Sequence, residues 1–209
     1  MRVQTQRGFT LLEIAIAMAI ITIVAALSFA AIGGMRKRAT YANVTTEAAM
    51  GVRRMRAEAL GRGLSTVFVV DTAGGRWWGL EAPAGGFGLT ELDAFDADAP
   101  GEVIASGTLP EGVSFGPTTH LKALAAPFAG VPVTSTQAPT FPYCSFCRDT
   151  GTNKGFGAVV FSSNGTATFV GAPSAVGHQF SLRGTDGKVT RTFTVAIIGR
   201  SGVVEVFES

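Results

Sequence analysis

Residues 14 to 35 contain no charged side chain. As a helix these 22 residues would measure about 33 Å at ~1.5 Å per residue, enough to cross a hydrocarbon core. Such a run is too long and too uniform for a soluble amphipathic helix, so a membrane span is expected. Cysteine and histidine are almost as scarce. Cys144 and Cys147 form a single CxxC, and a zinc site would need two more ligands. His120 and His178 have no metal-like spacing to that pair or to each other. No nucleophile elbow, phosphate loop or catalytic pairing of His with Ser or Cys stands out, so the chain does not read as an enzyme. Neither an internal repeat nor a low-complexity tract beyond Gly/Ala/Pro-rich loops is visible.

Charge is unevenly spread. The formal net charge is +2, but from Gly63 onward there are eight basic and twelve acidic residues. The stem over residues 36 to 62 carries seven basic residues against Glu47 and Glu58. A net acidic head argues against a generic nucleic-acid surface, though not against a local basic patch.

One acid, Glu13, stands at the edge of the apolar run. Three readings of the segment compete. It is a cleaved secretory signal, with Ser28-Phe29-Ala30 as a small-x-small site, although its apolar stretch exceeds a usual signal core. It is a plain signal anchor, in which Glu13 snorkels to the interface. Or Glu13 is a functional carboxylate, since an acid inside a span is costly and usually partnered. Arg2 and Arg7 before the run balance Arg36-Lys37-Arg38 after it, so the positive-inside rule gives no orientation.

The string Arg7-Gly8-Phe9-Thr10-Leu11-Leu12-Glu13, followed by the apolar run, resembles the class III signal of type IV prepilins and type II secretion pseudopilins. The resemblance implies cleavage by a prepilin peptidase between Gly8 and Phe9, and N-methylation of the new terminal Phe9. Glu13, fifth in the processed chain, would then dock the subunit by pairing with a terminal ammonium, its own or a neighbour's. Processing removes Arg2 and Arg7 and leaves 15 basic and 15 acidic residues.

Beyond the span a helical stripe continues through Tyr41, Val44, Ala48, Val52, Met55 and Ala59, with Gly61-Arg62-Gly63 as its stop. One helix from about Phe9 to Leu60 would be close to 78 Å long at ~1.5 Å per residue. After Gly63 the texture is β. Strands are expected at residues 65 to 70, 76 to 80, 103 to 105, 113 to 115, 157 to 161, 167 to 170, 179 to 183, 191 to 198 and 203 to 207. Asn164-Gly165 between two of these runs is a strong hairpin signal. The fold class expected is α+β: a long N-terminal helix packed against an antiparallel sheet or small β-sandwich head. Arg56-Ala57-Glu58-Ala59 and the hairpin-rich tail resemble the GspH/FimT branch of the same family, which implies a pilin-like architecture. The expected organisation is a leader (1–8), a transmembrane and filament-core half-helix (9–35), a periplasmic half-helix (36–62) and a head (63–209). Long loops are expected at about 81–101 and 117–154.

Within the head, Cys144 and Cys147 are expected to form a structural disulfide pinning a long loop. A thioredoxin-like role would want a βαβ context, and the surroundings are Pro- and Gly-rich. Glu91, Asp93, Asp96, Asp98 and Glu102 are a weak calcium candidate without EF-hand spacing, and a solvated acidic loop is the alternative. Trp77 and Trp78, being neighbours in a strand, should face opposite ways, one into the core and the other free for a contact. Arg183, Lys188, Arg191 and Arg200 lie around adjoining turns and are the candidate DNA contacts if the head is of FimT type. The resemblance implies an inner-membrane, single-pass protein with a periplasmic head, and implies as partners other pilins or pseudopilins and a prepilin peptidase. No cofactor is expected. Type II secretion and type IV pilus systems share the signal, so the sequence does not separate them.

Overall fold

The computed structural model describes residues 10–116, 131, 143–172, 176–186 and 189–208; side chains of residues 29–38, 186 and 189 are excluded. Helix α1 runs over Leu11–Arg62. Two compact units divide the chain, Met1–Thr40 and Tyr41–Ser209.

In the first unit Thr10 caps α1: its hydroxyl accepts the Glu13 N–H at 3.3 Å. This satisfies one of the donors that a helix start leaves open. From Leu11 to Ser28 the helix has a mean hydropathy of 2.4, and none of that stretch is buried within the protein. It is long and apolar enough to cross a membrane. Its two hydroxyl residues need no outside partner, because Thr22 donates to Met18 O at 2.7 Å and Ser28 to Val24 O at 2.8 Å.

The second unit begins with the remainder of α1. Tyr41, Ala48, Val52, Met55 and Ala59 are all buried, Val44 partly so, and Thr45 and Ala49 widen the stripe. The helix ends at Gly63, whose φ of 69° is the left-handed conformation that closes many helices. Its N–H donates back to Ala59 O at 3.0 Å.

Among the described residues nine strands follow, in two antiparallel sheets. One holds β1 (Thr66–Asp71), β2 (Arg76–Glu81), β3 (Val103–Thr108), β5 (Phe156–Phe161) and β6 (Ala167–Phe169), in the order β3-β2-β1-β5-β6. The other holds β4 (Val113–Phe115), β7 (His178–Asp186), β8 (Val189–Ile197) and β9 (Val204–Glu208), in the order β4-β7-β8-β9. Every expected strand is present. The β7–β8 hairpin is longer than its apolar residues suggest, because Gly184, Thr185 and Asp186 pair with Arg191, Thr190 and Val189.

Both faces of the first sheet are covered. Phe68, Val70 and Trp77 point to the main core, where α1 meets Phe180, Leu182, Val195 and Ile197 of the second sheet. Val67, Val69, Trp78 and Leu80 form a second core with Leu92 and Ala158. The segment expected as a loop over residues 81–101 makes this second cover and contains a short helix, α2 (Leu89–Asp93). Trp78 is therefore buried like Trp77 and not free for a contact: Phe95 meets its ring edge-on at 5.3 Å and the Arg76 guanidinium lies over it at 5.2 Å. Asn153 holds the cover down, its side-chain amide donating to Leu92 O at 2.8 Å and Phe95 O at 2.7 Å.

Helix and sheet come close where the sequence has glycine. A Cβ on Gly51 would lie 2.6 Å from Trp77 Cζ3, and one on Gly107 would lie 2.5 Å from Trp77 Nε1. The indole thus fills a slot whose two walls are glycines.

Candidate functional site

Three sequence features drew attention as chemistry: the N-terminal motif, the CxxC with its surroundings, and the charged clusters of the head. Gly8 and Phe9 lie outside the described residues. Glu13 sits in the first turn of α1, exposed, where the positive end of the helix dipole favours a carboxylate.

Cys144 and Cys147 are joined by a disulfide with Cα atoms 5.4 Å apart, and both are fully buried. The expected structural disulfide is present, and the tetrad is also part of the core. Cys144 bridges in β fashion to Phe180 of β7, and Cys147 to Gly157 of β5, so these four residues fasten one sheet to the other. Phe146 points into the main core between Phe169 and Phe180. Gly157 makes the approach feasible: a Cβ there would lie 2.8 Å from Cys147 Sγ.

Ser145 and His178 form a contact that the sequence did not announce, Ser145 Oγ to His178 Nδ1 at 3.0 Å. It resembles a nucleophile–base pair only in its chemistry. The two residues are 2% and 1% exposed, so no substrate reaches them. The serine oxygen also accepts the Gln179 N–H at 2.8 Å, and the ring of His178 lies 4.3 Å from that of Phe169. The pair satisfies buried polar groups around the tetrad.

The acidic cluster is dispersed among separate tasks. Glu91 accepts the Gly88 N–H at 2.7 Å at the start of α2. Asp93 pairs with Arg148, and Asp98 with Arg76 at 3.1 Å. Asp96 accepts the Asp98 N–H at 2.9 Å. Among the described residues no three His, Cys, Asp or Glu side chains gather as a metal site would require.

The basic residues expected to converge do not. Arg183 lies opposite Thr192 in the β7–β8 register and Arg191 opposite Gly184, which sends the two side chains to opposite faces of the sheet. Arg183 Nε is buried, with the aliphatic stem over Gly116. Arg191 is taken by Glu208 at 2.8 Å. Arg200 is in the β8–β9 turn, beyond the far end of β8 and roughly 20 Å along the strand from Arg191 at ~3.4 Å per residue. Lys188, like His120, lies outside the described residues.

One titration is displaced: burial pushes the Tyr143 phenol above its usual 10.0, partly offset by a hydrogen bond with the Thr72 side chain.

Comparison with known proteins adds a family match at the N-terminus. The model described as "Prokaryotic N-terminal methylation motif" matches residues 4–29. No curated protein matches the chain significantly. Among solved structures the fold is similar to the minor pseudopilin EpsH from the Type 2 Secretion System of Vibrio cholerae, at 13% identity and a TM-score of 0.38. The likeness covers 78% of this chain and 95% of that one.

Proposed function

We propose that the chain is a minor pseudopilin or minor pilin, a structural subunit that enters a filament through α1 after cleavage between Gly8 and Phe9. The observation that carries this reading is the methylation motif over residues 4–29, leading directly into a helix whose apolar surface the protein leaves uncovered. A side chain such as Ile20 or Ile21, more than half exposed, is stable only in lipid or against other helices. The same segment would serve as membrane anchor before assembly and as filament core after it.

The buried disulfide supports a head on the oxidising side of the membrane, the periplasm. Glu13 is the docking charge. Exposed in the first turn, it would pair with the terminal ammonium that cleavage creates, and methylation keeps that charge. In this reading the part of the head is structural. The divergence of Arg183, Arg191 and Arg200 gives a DNA-reading head no support.

Intact mass and N-terminal sequencing of the membrane-extracted protein test the reading. The expected product begins at Phe9 and carries one added methyl group. An intact Met1, or a cut near Ala30, rejects it.

A further inference from the structure

Arg53 and Arg56 stand about one turn apart on α1 and reach toward the loops that precede β6 and β9. Arg53 Nη2 donates to Val204 O at 2.8 Å, and Arg56 Nε to Gly165 O at 3.3 Å. A guanidinium has five N–H donors, so each keeps several in hand. Nearby acids are engaged elsewhere: Glu58 pairs with Arg54 and Arg62, and Glu81 with Arg62. Among the described residues neither Arg53 nor Arg56 has a carboxylate partner.

Between the two arginines opens a groove of 260 Å³, walled by Ala57, Leu60 and residues 202 to 204. Its floor is aliphatic, with Leu60 49% and Val203 38% exposed. A cationic rim over an aliphatic floor fits a peptide segment in which a carboxylate adjoins an aliphatic side chain. A phosphate backbone would satisfy the rim and leave the floor in water.

The chain presents such a segment elsewhere on the same unit. Glu102 is exposed and, among the described residues, has no ion-pair partner, and the next residue, Val103, is 41% exposed. Val103 opens β3, an outer strand that, among the described residues, pairs only with β2 and leaves backbone groups open along its other edge.

We propose that the groove of one copy receives the Glu102–Val103 edge of a second copy, with the Glu102 carboxylate between Arg53 and Arg56 and Val103 on Leu60 and Val203. Groove and edge are different surfaces, so the contact is heterologous. The inference rests on the filament reading for the tethering of copies in one membrane, before assembly, through their N-terminal helices. An exposed ion pair is weak in free solution, and tethering raises its effective concentration.

The test uses the full chain in membranes, with a photo-crosslinking phenylalanine analogue in place of Leu60. The expected adduct is a covalent dimer whose cross-linked peptide contains Glu102 or Val103. Reversing the rim with Arg53→Glu and Arg56→Glu should lower the dimer yield roughly five- to tenfold. Glu102→Arg, on an exposed edge away from the core, should lower it alike, and should restore the yield when paired with the reversed rim. Trypsin resistance of the head at the unaltered chain's level confirms in each variant that the head has folded. Absence of a dimer, a dimer indifferent to the charges, or adducts only with another protein or with nucleic acid overturns the proposal. Intact mass from the same membranes separates the two readings. A chain processed at Phe9 with no charge-dependent dimer overturns the groove alone, and an unprocessed chain overturns the filament reading.

Discussion

From Leu11 to Ser28, Glu13 apart, α1 is apolar on every side and the protein covers none of it; from Tyr41 onward the same helix is apolar along one stripe and the protein covers nearly all of that. The second stretch reads as less hydrophobic yet contributes more to the stability of its own fold. Val52, Met55 and Ala59 are wholly excluded from solvent, and Gly51 lets Trp77 close on the helix axis. Stability inside the chain follows from the pattern of apolar residues and from what faces them. The quantity of apolar surface in the first stretch is a statement about surroundings, lipid or neighbouring helices.

Perturbing one stretch and watching the other sharpens this contrast. Glu13→Ala should have the largest effect, cutting entry into the filament fraction at least roughly tenfold while leaving the thermal transition of the head in place. Immunoblots of sheared filaments and a melting curve check the two halves of that expectation, and normal filament entry would end the docking role. Next comes Met55→Ala, expected to cost the head about 2–5 kcal/mol through the cavity it leaves. Ile20→Ala, the matching change in the uncovered stretch, should cost the head nothing. Denaturant unfolding in micelles followed by tryptophan fluorescence reads both, since Trp77 and Trp78 are the only tryptophans and both lie in the head. A fall in head stability with Ile20→Ala would break the contrast.

Cys147→Ser should cost about 2 kcal/mol in chain entropy, the modest figure expected for so small a closed loop. It should act on the head and leave processing at Phe9 untouched. The smallest effect is alkaline. Tyr143 is held neutral by burial, so its phenol ionises above 10.0 in the folded head. Its folded value exceeds its unfolded one, so its contribution is complete below the unfolded value and is lost as pH rises through the folded one. In a Tyr41→Phe chain, phenolate absorbance should rise at higher pH when the head is folded than in denaturant.

Much of this was legible in the sequence because the signals are local. The three- and four-residue steps from Tyr41 to Ala59 gave the buried face, and Gly63 the helix stop. Asn164-Gly165 marked the hairpin that joins β5 to β6. What escaped depends on contacts distant in the chain. Alternation places Trp78 opposite Trp77 and so implies a free face, and nothing local says that residues 87 to 95 fold over it. That the tetrad joins the two sheets is not local either, because its strand partners, Gly157 and Phe180, lie 10 and 36 residues away from their cysteines. Arg183 and Arg191 flank one turn in sequence, yet an odd-numbered offset in the register divides them between faces. Arg53 and Arg56 lie off the apolar stripe of α1, and only the fold shows the carbonyls they reach.

The tetrad also bears on the order in which the head is built. A bond between residues three apart closes with little loss of chain entropy, so it does not wait for the sheets. Once closed, it holds two short backbone edges pointing toward different strands, with β5 next in the chain and β7 later. Each sheet then has a template on which to add, and part of the non-local search that slows β-rich folding is shortened. A reduced chain should therefore lose more in the rate at which it reaches the native head than in how firmly it stays there.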